Sequence, residues 1–250
     1  MEWIKYHEKE KVFELRTKNS TYQMQVREYD TLVHLYYGSP VGDTLITDRI
    51  IGVDRGFSGN PYEAGTDKTF SLDTLPQEYT AYGNGDYRIN GLETEQADGS
   101  DTANLKYESY KISKGKYSIK GLPAMFAKED EAETLEIVLK DHASGLRAHL
   151  LYGVFPQLDV ITRAVRLENT GTAPVTVKKA MSMEMDYEYR ELDAVHFYGR
   201  HNVERQMERT HLGHGNWSVG SIRGTSSHHH NPFVIICDRN TEETHGDCYG

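Results

Sequence analysis

The sequence predicts an all-β chain, a sandwich or barrel of short antiparallel strands. Apolar residues recur with a period of two along much of its length. Turn motifs rich in Gly, Asn, Asp and Ser break the alternation at short intervals. Many short strands at that spacing mark a sandwich or barrel. The 17 tyrosines agree, because aromatic residues favour half-buried pleated surfaces.

In chain order, strand-like runs fall at residues 12–16, 22–27 and 32–37. Leu135, Ile137 and Leu139 then alternate with Glu136 and Lys140, and Leu146, Ala148, Leu150 and Tyr152 with Arg147 and His149. Ile161, Val165 and Leu167 alternate with Thr162 and Arg166, and Met181, Met183 and Met185 with Ser182, Glu184 and Asp186. Each run puts apolar groups on one face and polar groups on the other, as in sheets with one wet face. Gly38-Ser39-Pro40, Asp98-Gly99-Ser100, Ser113-Lys114-Gly115, Ala143-Ser144-Gly145 and Asn169-Thr170-Gly171 are the breaks. Two places resist the β reading. Residues 128–136, KEDEAETLE, read as an acidic loop rather than a helix start, because they run straight into the alternation at Leu135. Residues 200–214 would, on a helix, line up His201, Glu204, Glu208 and His211. With no repeat, low-complexity tract or linker, residues 1–250 read as a single domain.

A net charge of -10 and a pI near 5.6 disfavour nucleic acid and anionic membrane surfaces as partners. No run approaches the roughly 18 apolar residues of a membrane span. The first residues, MEWIKYHEKEKVFELR, lack the apolar core of a secretory signal. Cys237 and Cys248 are too few for a disulfide framework and read as free thiols of a cytoplasmic protein. On that reading the sequons at Asn19 and Asn216 are coincidences.

Residues 54–88 are the richest segment. Arg55, Asp67, Lys68, Asp73, Glu78, Asp86 and Arg88 are interleaved with Phe57, Tyr62, Phe70, Tyr79, Tyr82 and Tyr87. Aromatic faces pack on the C–H surfaces of a sugar, and charged groups bind its hydroxyls. An ordered structural loop collects the same Gly, Pro and Asp content. Elsewhere the candidates are weaker. Glu208 and His211 match a Glu-x-x-His metal pattern, but only one copy is present. His228-His229-His230 read as a polar turn entering a strand at residues 233–237, since two converging histidines do not close a zinc site. Gly83-Asn84-Gly85-Asp86 reads as a tight turn, with neither the lysine nor the helix of a phosphate loop. Glycoside hydrolysis needs two carboxylates across one bond, and Asp54, Asp67, Asp73, Glu78 and Asp86 are candidates whose facing the sequence leaves open.

The words RGFSGNP at residues 55–61, DKTFSLDTLPQEY at 67–79 and AYG at 81–83 resemble the N-terminal region of glycoside hydrolase family 36 α-galactosidases. KGLPA at 120–124, EAETLEIVL at 131–139, VITR at 160–163, Gly199-Arg200 with Glu204-Arg205, and RGTSSH at 223–228 with NPF at 231–233 extend the resemblance in order over nearly the whole chain. The resemblance implies a large antiparallel β-supersandwich of the galactose mutarotase kind. It implies a chain that ends inside that domain, ahead of a (β/α)₈ barrel carrying both catalytic aspartates, so no catalytic residue is expected here. It also implies a retaining enzyme acting on α-galactosides such as melibiose or raffinose, needing no metal or cofactor. In tetrameric family members this domain of one subunit closes the active site of another. The segment from Asp54 to Lys68 resembles that contributed element, with Asp54 accepting hydrogen bonds from sugar hydroxyls. Lys68 stands where relatives often carry arginine, and lysine lacks the bidentate fork. Two other readings stay open: a free-standing carbohydrate-binding module, and a mutarotase-like sugar epimerase using His196, His201 and Glu204.

Overall fold

A computed structural model of the chain describes every residue except Met1, Arg55, Phe57, Ser58, Asn84, Glu188, Tyr189 and residues 225–227. The described residues form fourteen strands and three single-turn 3-10 segments, at Glu28–Asp30, Tyr62–Ala64 and Leu72–Thr74. The fold is all-β, and every ladder between these strands is antiparallel. No helix among the described residues is long and apolar enough to cross a membrane. The chain divides into two compact units, Met1–Asp186 and Tyr187–Gly250.

The first unit holds two four-stranded sheets. One runs β1 (Ile4–His7), β2 (Val12–Arg16), β3 (Thr21–Val26) and β4 (Leu32–Gly38) in sequence order. The other runs β6 (Leu105–Lys114), β7 (Glu133–Asp141), β8 (Leu146–Phe155) and β9 (Val160–Asn169), again in order. A two-stranded ladder pairs β5 (Leu92–Gln96) with β10 (Val175–Ala180). Phe13, Leu15, Tyr22 and Met24 from the first sheet share one core with Leu135, Ile137, Leu146, Ala148, Leu150 and Tyr152 from the second. The alternation read at 135–139 and 146–152 is therefore the inward face of β7 and β8. Burial of these side chains is the main stabilising term, about 1.5–3 kcal/mol for each fully buried large apolar side chain.

The first sheet is also covered on its other face, which sets it apart from a sheet with one wet side. Val12, Val33 and Leu35 pack there against Phe70, Leu72 and Leu75. These last three belong to the long segment 39–91 between β4 and β5, which covers the outer face of the sheet there and enters the shared core at Tyr79 and Ala81.

The run at Met181, Met183 and Met185 predicts a further strand, but residues 181–187 stand outside every ladder. Of its polar members, Ser182 and Asp186 are exposed and Glu184 is drawn inward. The Glu184 carboxylate accepts from the backbone N–H and hydroxyl of Thr80, and its carbonyl accepts from Arg163. Met181 and Met183 are exposed, while Met185 packs on the core. Bonds from side chains to this backbone replace those of a ladder.

The second unit is one sheet ordered β12 (Val203–Leu212), β11 (Leu192–Arg200), β13 (His230–Asp238) and β14 (Cys248–Tyr249). The 200–214 segment is thus the turn and second strand of the β11–β12 hairpin, not a helix. On the strand, Glu208 and His211 take opposite faces, and a register shift between Val203 and Gln206 separates Glu204 from that alternation. His228 and His229 form a turn leading into β13, and residues 129–131 are a turn ahead of β7.

Candidate functional site

Segment 39–91 is held in place by buried polar groups as well as by its apolar contacts. On β3, Gln23 is buried on the sheet's outer face. Its amide donates to the Thr44 carbonyl at 2.8 Å, and its oxygen accepts from the Ile46 N–H at 2.9 Å. Asn60 donates to the Phe70 carbonyl at 2.6 Å, and the Leu72 N–H reaches the Gly59 carbonyl at 3.3 Å. The backbones of Gly59 and Gly85 touch, so that a Cβ built on Gly59 would lie 2.0 Å from the Gly85 oxygen. Gly83 and Gly85 have φ of +88° and +83°, which glycine adopts without strain. Within the expected tight turn at residues 83–86, whose Asn84 lies outside the described residues, Gly85 makes a close backbone crossing with Gly59.

Arg88 closes the segment. Its guanidinium donates to Asp86, to the Leu75 carbonyl at 2.7 Å, and to Asp186 at 2.9 Å. Asp86, itself buried, also accepts from Gln77 at 2.9 Å. The hydrogen bonds to Asp86, working against partial burial, hold the Arg88 pKa above its ordinary value.

The sequence candidates thereby sort into two groups. Glu78 and Asp86 are buried inside the framework. Asp67 caps the Thr69 N–H and hydroxyl, and Asp73 accepts from the Ser71 hydroxyl. Phe70 and Tyr79 are core residues. These six hold the segment together. Asp54 and Lys68 are exposed, and Tyr62 (97%), Tyr82 (46%) and Tyr87 (81%) present their rings to solvent. Asp54 accepts from the Gly56 N–H at 2.8 Å, a local turn that fixes its carboxylate. Gly52 packs against Thr69, where an added Cβ would lie 3.2 Å from the Thr69 carbonyl oxygen. The limbs carrying Asp54 and Lys68 therefore run side by side. Lys68 makes no ion pair among the described residues. Arg55 and Phe57 lie outside the described residues. Sequence reading missed the exposed Ile51, Val53 and Ile89, apolar residues of the same segment that show no alternation.

Where the segment enters the core, its Glu78 forms a buried ionic cluster. Glu78 is fully buried and accepts from the Tyr22 hydroxyl at 2.7 and 2.9 Å and from the Tyr152 hydroxyl at 2.7 Å. Arg163 of β9 sits 2.8 Å from it and also donates to the Tyr22 hydroxyl and the Glu184 carbonyl. Burial disfavours the Glu78 anion, but the Arg163 charge, His34 and the Tyr152 hydroxyl outweigh it, and the pKa is lowered. Burial, opposed by the Thr80 hydrogen bonds and aided by Asp186 and Asp86, raises that of Glu184. The two act in opposite senses on stability. With its folded value below the ordinary 4.5, Glu78 stabilises fully above pH 4.5, and its contribution is lost as pH falls through the folded value. Glu184, with its folded value above 4.5, disfavours the folded state once ionised and ceases to do so on acidification. Acid titration followed by circular dichroism should therefore show unfolding below pH 4.5. The Glu184→Gln chain should gain stability at pH 7 relative to pH 4, and an unchanged ratio would contradict the assignment.

The other constellations are not assembled as chemistry. His196 of β11 lies 3.7 Å from Glu208 and is its register partner, rather than Glu204's. His211 bonds Asp193 at 3.1 Å. Among the described residues no three His, Cys, Asp or Glu side chains are grouped to hold a metal ion.

Two antiparallel sheets sharing one core, the first also covered on its outer face by Phe70, Leu72 and Leu75, define an all-β sandwich domain. The chain belongs to the glycosyl hydrolase family 36 N-terminal domain family, whose model matches residues 30–250. It is 50% identical over 248 residues to the bifunctional α-galactosidase/sucrose kinase AgaSK of Mediterraneibacter gnavus, covering 99% of this chain and 26% of that protein. It is 40% identical to the α-galactosidase Mel36A of Lactobacillus acidophilus, covering 99% of this chain and 34% of that one. Among solved structures it superposes on the galactosidase domain of AgaSK with a TM-score of 0.93, covering 98% of this chain and 34% of that one. It matches a Geobacillus stearothermophilus AgaA structure in complex with raffinose at a TM-score of 0.90 and 40% identity, covering 95% and 33%. The chain thus spans about a quarter to a third of the length of the relatives it matches.

Proposed function

We propose that this chain serves as the non-catalytic N-terminal domain of a retaining, cytoplasmic α-galactosidase that hydrolyses terminal α-galactose from oligosaccharides such as melibiose or raffinose. Segment 39–91 shapes the substrate pocket and supports a homotetramer, in which the chemistry belongs to a barrel outside these residues. The observation that carries this reading is the sorting of the segment. Its buried charges are satisfied internally, whereas Asp54, Lys68 and the exposed Tyr62, Tyr87, Ile51 and Val53 face outward on a braced framework. A turn-fixed carboxylate and an exposed cation on a segment that also carries solvent-facing rings suit a sugar subsite walled by a second surface. Family membership and the raffinose complex of a relative support the substrate class.

In the full-length enzyme Asp54 is then a hydrogen-bond acceptor for a sugar hydroxyl, a charged bond of about 1.5–3 kcal/mol. Asp54→Ala should lower kcat/KM about tenfold or more on raffinose, and unchanged kinetics would reject the role. The isolated chain should neither release galactose from a chromogenic galactoside nor bind raffinose saturably in calorimetry. Turnover would make it an enzyme in its own right, and tight binding a free-standing module.

A further inference from the structure

Cys237 and Cys248 are free thiols that face each other across the β13–β14 ladder in direct register. The flanking pair is joined by a hydrogen bond from the Asp238 N–H to the Asp247 carbonyl at 3.2 Å. Hydrogen-bonded and non-hydrogen-bonded pairs alternate in antiparallel ladders, so the cysteines occupy a non-hydrogen-bonded position. There the Cα atoms lie about 4.5 Å apart with both side chains on one face, within the roughly 4.4–6.8 Å that a disulfide spans. The connecting turn is already fixed. The Thr241 N–H donates to the Asp238 carbonyl, the Thr241 hydroxyl to the Asp247 carbonyl, and Arg209 to the carbonyls of Asp238, Arg239 and Thr241. The two thiols differ in access. Cys248 is exposed and Cys237 buried, and burial, partly countered by Arg209, raises the Cys237 pKa.

We propose that Cys237 and Cys248 are a redox modification site, closing an intramolecular cross-strand disulfide that fastens β14 to β13 when the chain meets a small-molecule disulfide such as oxidised glutathione. The exposed Cys248 thiolate attacks one sulfur of that disulfide, forming a mixed disulfide and expelling one thiolate. The Cys237 sulfur, losing its proton to solvent, then attacks the Cys248 sulfur and expels the second thiolate. Two protein thiols are oxidised, one small disulfide is reduced to two thiols, and a reducing thiol pool reverses both steps.

The test treats the native chain with oxidised glutathione, alkylates the remaining thiols and maps peptides without reductant. A linked 237–248 peptide is expected, with a yield independent of protein concentration. Cys237→Ser should accumulate the Cys248 mixed disulfide, and the wild type should carry about tenfold less of that adduct. Cys248→Ser should leave Cys237 reduced. A lasting glutathione adduct on wild-type Cys248, a disulfide between chains, or two unmodified thiols would each overturn the proposal.

Discussion

Replacing Glu78 by glutamine is expected to destabilise the chain by about 3–5 kcal/mol, the cost of leaving a buried charge without its counter-charge. The substitution keeps the shape and one acceptor oxygen but removes the anion facing Arg163, 2.8 Å away with 7% of its side chain exposed. Arg163 cannot shed its proton, because the guanidinium stays charged at any accessible pH. Both tyrosine hydroxyls donate to Oε1, so an amide oxygen placed there keeps them satisfied, and the loss falls on the charge facing Arg163. The cluster links β3, β8 and β9 to the end of the 39–91 segment, and damage in it reaches both sheets. Urea unfolding at pH 7 measures the effect, and a loss below about 1 kcal/mol, the range of a solvent-screened pair, would mean that the cluster is effectively hydrated. The double variant Glu78→Gln with Arg163→Met should recover part of the loss, since removing both charges leaves no unpaired ion. Tyr152→Phe, which removes one hydroxyl and no charge, should cost less than either single charge removal.

Strands β7 and β8 were legible in the sequence because their apolar residues alternate onto one inward face, whereas β2, β3 and β4 are buried on both faces. Leu135–Ile137–Leu139 and Leu146–Ala148–Leu150 carry the alternation directly. The β11–β12 hairpin was not legible. VERQMERTHL is mostly exposed on both faces, so no alternation separates a strand from a helix there. The Met181–Met185 run failed for the converse reason: its period of two is real, but Glu184 is drawn inward to Thr80. At the candidate site, composition marked the segment but could not divide its charges. Asp54 and Asp86 look alike in sequence. Only the long-range partners Gln77 and Asp186, which meet Asp86 and Arg88 in the fold, make the second pair structural.

Gly59→Ala should be the most informative change in the outer segment, because its damage falls on placement more than on stability. The added methyl would meet the Gly85 oxygen at 2.0 Å, its carbonyl carbon at 2.8 Å and its Cα at 2.9 Å. All three are backbone atoms, so no side chain can swing away. The turn carrying Gly85 is tied down by Asp86, which is bonded to Arg88 and Gln77. The Gly59 limb is itself held at Leu72 and through Asn60 at Phe70, so the displacement is passed back along it toward Asp54, whose own bond is local. Unfolding free energy should fall by about 1–3 kcal/mol, as for an overpacked contact. Gly213→Ala, with nothing within 4 Å of the new methyl, should change it by no more than about 0.5 kcal/mol. In the full-length enzyme, Gly59→Ala should raise KM for raffinose with a smaller change in kcat, as a displaced binding wall would. Added to Asp54→Ala it should cost less than it does alone, because both changes remove one carboxylate from one place. Full additivity of the two would separate the crossing at Gly59 from the placement of Asp54.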